Sequence, residues 1–86
     1  MYQLQFPEKA RQFLKRLDPS FSARILRKLN WLAEHAGEIK EEGLRGDMSR
    51  FSKIREGDYR ILYEIIRKRQ IIVVHAIGHR SEIYKK

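Results

Sequence analysis

Apolar positions in the first half of the chain recur at helical spacing in two consecutive segments. In residues 7–17 the apolar side chains fall at i, i+3, i+4 and i+7, which is the pattern of one helix face. They are Ala10, Phe13, Leu14 and Leu17. The second stripe consists of Phe21, Ile25, Leu29, Leu32 and Ala36. Asp18 and Pro19 separate the two, an N-cap residue followed by a favoured first helical residue. The pattern predicts helices over 7–17 and 19–36 that form an antiparallel hairpin.

The second half of the chain has the patterns of β-strands. Three strands are predicted there, over 50–55, 59–66 and 71–77. Glu56-Gly57-Asp58 separates the first two as a hairpin turn, and the third is apolar on both alternations, as in a strand covered on both faces. Residues 2–6 alternate as a short first strand, and 38–48 form a polar connector. The order β-α-α-β-β-β predicts an α+β fold: an antiparallel sheet with an N-terminal helical hairpin packed on one face.

Length and composition predict one small domain and exclude several kinds of protein and site. Its 86 residues, 42% of them apolar, predict a single domain, 1–86, with one modest core. There is no cysteine, which excludes a disulfide scaffold, a thiol nucleophile and a cysteine-ligated zinc site. No apolar run approaches the ~20 residues of a membrane span, and the first residues lack the features of a signal peptide. We therefore expect a cytoplasmic protein without a membrane partner.

Charge is the property that points to a partner. Nineteen Lys and Arg against eleven Asp and Glu give a net charge of +8, which favours a polyanion such as nucleic acid, the ribosome or an acidic protein. Several cations fall on predicted strands, where alternate residues point the same way, so Lys53 and Arg55 share one face of the sheet. Cations combined with a phenol and an imidazole suit the binding and cleavage of a phosphodiester, which makes RNA the leading substrate.

Three blocks of the sequence, in this order, resemble the RelE/ParE superfamily of bacterial and archaeal toxins. They are Leu44-Arg45-Gly46, FSKIREGDYRILYE at 51–64 and IGHRSEIY at 77–84. The resemblance implies a toxin that a cognate acidic, RelB-like antitoxin neutralises in a hetero-oligomer. In the RelE branch the toxin enters the ribosomal A site and cuts mRNA there, so the ribosome with its mRNA and rRNA would be the second partner. The alternative is a ParE-like inhibitor of DNA gyrase, which has the same fold and no nuclease activity.

The resemblance also implies a set of site residues. The basic pair of the family falls on Lys53 and Arg55, its third-strand arginine on Arg60, and its C-terminal arginine and tyrosine on Arg80 and Tyr84. The four cations of this set would also bind the RNA. In one respect the chain departs from the family, because some members have a second lysine where Arg55 stands. If that lysine transfers a proton, Arg55 cannot replace it, because a guanidinium group stays protonated.

Cleavage by attack of the ribose 2′-oxygen on the adjacent phosphate needs a base, an acid and cations on the phosphate oxygens. Arg60 and Arg80 are the candidates for phosphate binding, since planar guanidinium forks grip phosphate. Lys53 is the candidate general base, because crowding by neighbouring arginines favours its neutral form. Tyr84 could stack on a base, orient the 2′-hydroxyl or relay a proton. His79 is a possible accessory group, although strand alternation points it away from Arg80.

We predict that cleavage needs neither a metal ion nor another cofactor. His75 and His79 have ligand spacing for a helix, but on a strand they lie about 13 Å apart at about 3.3 Å per residue. Structural roles compete with the catalytic ones at several positions. Arg60 could pair with Glu64, His75 could be a satisfied core histidine, and Tyr59 and other strand tyrosines are more typical of packing than of base stacking.

Overall fold

The computed structural model describes residues 1–38 and 51–81 and contains six elements in the predicted order. They are β1 (Gln3–Gln5), α1 (Glu8–Arg16), α2 (Pro19–His35), β2 (Ser52–Glu56), β3 (Tyr59–Ile66) and β4 (Ile71–His79). The α+β class and the order β-α-α-β-β-β are thereby confirmed. The predicted connector over 38–48 lies outside the described residues except for Glu38. Within the described ranges, no helix has the length and apolar character needed to cross a membrane.

Asp18 separates the two helices in the way its position predicts, although its side chain does not cap α2. The backbone N–H groups of Phe21 and Ser22 donate to its carbonyl oxygen, at 2.9 and 3.1 Å. Its carboxylate instead accepts a hydrogen bond from the Ser20 hydroxyl. Pro19 follows in the first turn, where the missing N–H costs no helical hydrogen bond.

The sheet is mixed, with strand order β1-β4-β3-β2. Both pairs among β2, β3 and β4 are antiparallel, as predicted, whereas β1 pairs in parallel with β4, so the expectation of a wholly antiparallel sheet needs correction at this strand. The backbone N–H of Gln3 donates to the Gln70 carbonyl at 2.9 Å, so β1 enters the sheet at the end where β4 begins. Alternation along a three-residue strand specifies which side chains face the core but not the direction of pairing.

The loop between β2 and β3 has two residues, Gly57 and Asp58. Gly57 has a φ of +61°, a value that hairpin turns of this length require at their first position and that glycine adopts without strain. The Arg24 guanidinium lies 3.2 Å from the point that a Cβ at Gly57 would occupy. The same guanidinium donates to the Glu56 carboxylate at 3.0 and 3.2 Å, which joins α2 to the end of β2.

The core lies between the helices and one face of the sheet. From the helices it takes Ala10, Ile25, Leu29, Leu32, Ala33 and Ala36, and from the sheet Ile61, Tyr63, Ile72, Val74 and Ile77. Tyr63 is 2% exposed, and Tyr59 packs at the margin of the core against Phe13 and Phe21, with ring centroids 6.4 and 5.7 Å apart. Both tyrosines therefore have the packing role that their strand positions predict.

A register shift interrupts the pairing of β3 with β4. Leu62 pairs with Ala76, but the next residue, Tyr63, pairs with Val74, so His75 is an extra residue on β4. Such a bulge reverses the alternation of the strand that carries it. For this reason Val74 and Ile77 both face the helices despite their odd spacing. The bulge accounts for the odd spacing of Val74 and Ile77, whereas Ile71 and Val73, before it, are apolar side chains of the opposite alternation that are only partly buried.

Truncation of Leu29 to alanine should lower the free energy of unfolding by about 2–5 kcal/mol, because it leaves a cavity in a close-packed core. Leu29 is 0% exposed, whereas Leu26, one turn earlier in the same helix, is 38% exposed. Leu26→Ala removes the same atoms from the surface and should change the free energy by less than about 0.5 kcal/mol. Urea unfolding of the two variants measures the difference. Equal losses would place the core on the wrong face of α2.

Candidate active site

Three cations lie together on the sheet face that the helices leave open. Ile54 packs against the core, so its neighbours Lys53 and Arg55 point to the opposite face. Arg55 pairs directly with Arg60 across the β2–β3 ladder, which brings the third cation to the same face. With Ile54 these residues line a depression of about 220 Å³. The structure thus brings together three of the site residues that the sequence indicates.

The hydrogen bonds of Arg60 fix its guanidinium at the β2–β3 turn. It donates to the backbone carbonyl oxygens of Gly57 and Tyr59, at 3.0 and 3.1 Å. The alternative pairing with Glu64 is not formed, because the Glu64 carboxylate contacts His75 instead. Among the described residues no carboxylate forms an ion pair with Arg55 or Arg60, so both charges remain available to an anion.

Arg80 lies beside the same turn but does not line the depression. Its backbone N–H donates to the Asp58 carbonyl oxygen at 2.8 Å, and its Nε lies 3.9 Å from the Asp58 carboxylate. Both partners of this ion pair are mostly exposed, so the pair contributes little stability and its guanidinium stays accessible. Tyr84 lies outside the described residues.

His79 is on the helix-covered side of the sheet, away from the three cations. Its ring meets the Tyr59 ring edge to face, with centroids 6.0 Å apart, and its Nδ1 is 2.8 Å from the Ser81 hydroxyl. Together with Phe21 and Arg24 it lines a separate cavity of about 320 Å³ between α2 and the β2–β3 turn. This imidazole is therefore remote from the depression that Lys53, Arg55 and Arg60 form.

His75 is the position at which the structure departs most from the sequence analysis. It is not a core residue: its side chain is 33% exposed, and its Nε2 lies 3.1 Å from the Glu64 carboxylate. The ring also meets Phe51 edge to face, with centroids 4.8 Å apart. The pairing depends on the bulge between β3 and β4, which strand alternation alone does not reveal. Within residues 1–38 and 51–81, no three His, Asp or Glu side chains lie close enough to hold a metal ion.

Comparison with known proteins places this arrangement in a family. The model of a family described as the ParE toxin of the type II toxin-antitoxin system parDE matches residues 4–84, nearly the whole chain. The chain belongs to the RelE/ParE toxin superfamily. It is the toxin component of a type II toxin-antitoxin system. No curated protein sequence matches it at a significant level.

Solved structures of RelE toxins are similar to this toxin over almost its whole length. A chain of the toxin-antitoxin complex RelBE2 from Mycobacterium tuberculosis is 26% identical, with a TM-score of 0.80 over 92% of this chain and 98% of that one. The isolated RelE toxin of E. coli is 27% identical, with a TM-score of 0.77 over 92% and 84% of the two chains. An archaeal RelE–RelB complex from Pyrococcus horikoshii OT3, 21% identical with a TM-score of 0.71 over 94% and 97%, has the same fold.

Proposed function

We propose that this toxin is a ribosome-dependent endoribonuclease that cuts mRNA in the ribosomal A site. Cleavage proceeds without a metal ion, by attack of a ribose 2′-hydroxyl on the adjacent phosphate. The observation that carries the proposal is the group formed by Lys53, Arg55 and Arg60 on the open face of the sheet. A phosphodiester matches the charge of this face, and the similarity to RelE toxins supports placing the chain in the RelE branch, for which we expect mRNA as the substrate.

Arg60 and Arg80 supply the phosphate contacts in this scheme. The backbone carbonyls of the β2–β3 turn hold the Arg60 guanidinium, so it is oriented before substrate binds. Preorganised donors of this kind stabilise the charge that develops on a phosphate in the transition state. Arg80 approaches the same turn through its backbone and adds a second guanidinium from the end of β4. Tyr84, farther along the chain, keeps its proposed role of stacking on a base or relaying a proton.

Lys53 is the general base of the scheme. It lies on the same face as Arg55 and Arg60, so its amine is beside the position of a phosphodiester that the arginines bind. Arg55 contributes charge and phosphate binding only, because a guanidinium group does not give up its proton at physiological pH. Lys53, Arg55, Arg60 and Arg80 together form the proposed RNA-binding surface.

The shape of the open face supports dependence on the ribosome. A depression of about 220 Å³ is smaller than the roughly 300–1,000 Å³ of ordinary small-molecule sites. A depression of this size holds the phosphate but does not force the 2′-oxygen into line with the bond that breaks. Alignment of the reacting atoms contributes a large part of the rate enhancement of such reactions. A second surface, the A site around the mRNA, would supply it.

An acidic, RelB-like antitoxin is the proposed partner in the hetero-oligomer. Two of the similar structures are complexes of toxin and antitoxin. The toxin has a net charge of +8, which an acidic partner would offset. It also exposes apolar side chains on α2, with Phe21, Leu26 and Trp31 each 38–43% exposed. They are five residues apart, so they lie on different sides of α2, and each offers a separate contact to an apolar anchor of an amphipathic antitoxin helix.

Inhibition of DNA gyrase is the second candidate function. The family model that matches the chain is described as the ParE toxin of parDE, and this observation favours it. A gyrase inhibitor has no need of an ordered group of cations on the open face, whereas a nuclease depends on one. The nuclease function therefore requires the cations of the open face, whereas inhibition of gyrase does not.

Induction of the toxin alone should stop translation and cut ribosome-bound mRNA while DNA stays intact. The reason is that the open-face cations are suited to a phosphodiester held in the A site. Mapping of mRNA 5′ ends and of DNA breaks in the same cells measures both outcomes. Gyrase-dependent DNA breaks together with uncut mRNA would contradict the nuclease function and support the ParE-like one.

Arg60→Ala should slow single-turnover cleavage of ribosome-bound mRNA by about 10²–10³-fold, the usual loss for one preorganised transition-state donor. Arg60→Lys should recover only part of the rate, because an ammonium keeps the charge but loses the planar fork. Arg27→Ala, which removes an exposed arginine on α2, is the matched control and should cut normally. His79→Ala should lose far less than Arg60→Ala. A normal rate for Arg60→Ala, with an unchanged melting temperature, would remove Arg60 from the site.

Co-expression of the toxin with its antitoxin should abolish toxicity and yield a complex that copurifies. The electrostatic part of the contact predicts that Kd rises with salt, while the apolar part keeps the complex together at 0.5 M salt. Trp31→Ala should weaken the complex, and Arg11→Ala on α1 serves as the control for an exposed change elsewhere. Toxicity that persists beside excess antitoxin would contradict the proposed partnership.

A further inference from the structure

The pair formed by His75 and Glu64 lies on the same face of the sheet as the proposed RNA-binding cations. On β3, Tyr63 and Ile65 pack against the core, so Glu64 between them points to the open face. The side chain of His75 lies on the same open face, since its Nε2 is 3.1 Å from the Glu64 carboxylate. An imidazole and a carboxylate therefore face the same space as Lys53 does from β2.

The register of the strands places this pair beside Lys53 on the open face. Lys53 pairs with Leu62, and Glu64 is the next residue of β3 on the same face. Such diagonal neighbours have backbones about 7–8 Å apart, a distance that long side chains span. Leu62, the residue of β3 between Arg60 and Glu64 on this face, is 5% exposed. A phosphate above Leu62 would have cations on one side and the imidazole on the other.

The hydrogen bond to Glu64 determines which ring nitrogen is available. A carboxylate only accepts hydrogen bonds, so Nε2 of His75 carries a proton and donates to Oε1. The other nitrogen, Nδ1, has no hydrogen-bond partner among residues 1–38 and 51–81 and is the one that can exchange a proton with a ligand. Edge contact with the Phe51 ring, at 4.8 Å between centroids, restricts rotation of the imidazole. An imidazole held by a carboxylate in this way is suited to proton transfer.

The charges around the two candidate proton carriers differ in sign. His75 faces the carboxylate of Glu64 on β3, which balances the charge of an imidazolium. Lys53 on β2 is the nearest cation by register, and Arg55 and Arg60 lie two pairs farther along the ladder, at the next position on the same face. On β4 the flanking residues, Val74 and Ala76, carry no charge. A carboxylate therefore lies beside His75, whereas the same-face neighbours of Lys53 toward the β2–β3 turn are arginines.

We propose that His75, oriented by Glu64, is the general acid of the cleavage reaction. The proposal rests on the nuclease function proposed above. The Lys53 amine takes the proton of the 2′-hydroxyl, the 2′-oxygen bonds to phosphorus, and the bond from phosphorus to the 5′-oxygen breaks. The leaving 5′-oxygen takes the proton from Nδ1 of His75. The products are a 2′,3′-cyclic phosphate and a 5′-hydroxyl, with Lys53 protonated and His75 neutral until each exchanges its proton with water.

A substrate with sulfur in place of the scissile 5′-oxygen tests this role, because a thiolate leaves without being protonated. With ribosome-bound mRNA that contains the normal oxygen, His75→Ala should slow single-turnover cleavage by about 10²–10⁴-fold. With the sulfur substrate the same variant should cut at nearly the wild-type rate. His75→Gln retains a side chain that can donate to Glu64 and should show the same rescue. Glu64→Gln should lose less on the oxygen substrate and also recover with sulfur.

Matched variants distinguish loss of the acid from other defects. Lys53→Ala and Arg60→Ala should stay slow on the sulfur substrate, since neither the base nor phosphate binding depends on the leaving group. His35→Ala removes another half-exposed histidine, one that donates to the Trp31 carbonyl on α2, and should cut both substrates normally. Melting temperatures of all variants report on folding.

Three outcomes would overturn the inference. A normal rate for His75→Ala on the oxygen substrate, while the wild type cuts, removes His75 from the reaction and leaves the nuclease function standing. An equal loss on both substrates shows that His75 acts in positioning or binding and not as the acid. Failure of the wild type to cut ribosome-bound mRNA at all overturns the nuclease function and the inference with it.

Discussion

The two helices of this toxin can cover only one face of its sheet, and the rest of the molecule follows from that constraint. The covered face holds the buried side chains of β3 and β4, from Ile61 to Ile77. The open face has no second layer among the described elements, so these helices leave its side chains to solvent, to one another or to a partner. Cross-strand pairs such as Arg55 with Arg60 would repel in an ordinary protein surface. Their presence side by side is understandable if the face meets an anion.

The turn between β2 and β3 links the two sides of the sheet. Its backbone carbonyls accept hydrogen bonds from the Arg60 guanidinium and from the Arg80 backbone. On the covered side, the Arg24–Glu56 ion pair ties the same hairpin to α2. The turn is thus held from both faces, and two residues of the proposed RNA-binding surface take their positions from it. Fold alone does not separate a nuclease from a gyrase inhibitor in this superfamily, so these side-chain positions have to carry the distinction.

Much of the fold could be predicted from the sequence because its signals are local. The stripe through Leu29 identifies the buried face of α2, and the alternation around Ile54 shows that Lys53 and Arg55 share a face. The direction of β1 and the pairing of His75 with Glu64 could not be predicted in this way. Both depend on which strands become neighbours and in what register, and a single strand's pattern contains neither. Arg60 is a third case. Its strand position suggests an ion pair with the Glu64 carboxylate, but its guanidinium donates to backbone carbonyls at the β2–β3 turn instead.

The bulge at His75 is one extra residue of β4 that the core does not require. One extra residue there allows Val74 and Ile77 to face the core while His75 lies on the other side. Deleting His75 would restore strict alternation with Val74 and Ile77 still facing the core, because His75 is the extra residue between them. The core is therefore compatible with a β4 one residue shorter, but that strand would lack the imidazole beside Glu64. The extra residue matters for the open face of the sheet and not for the packing of the helices.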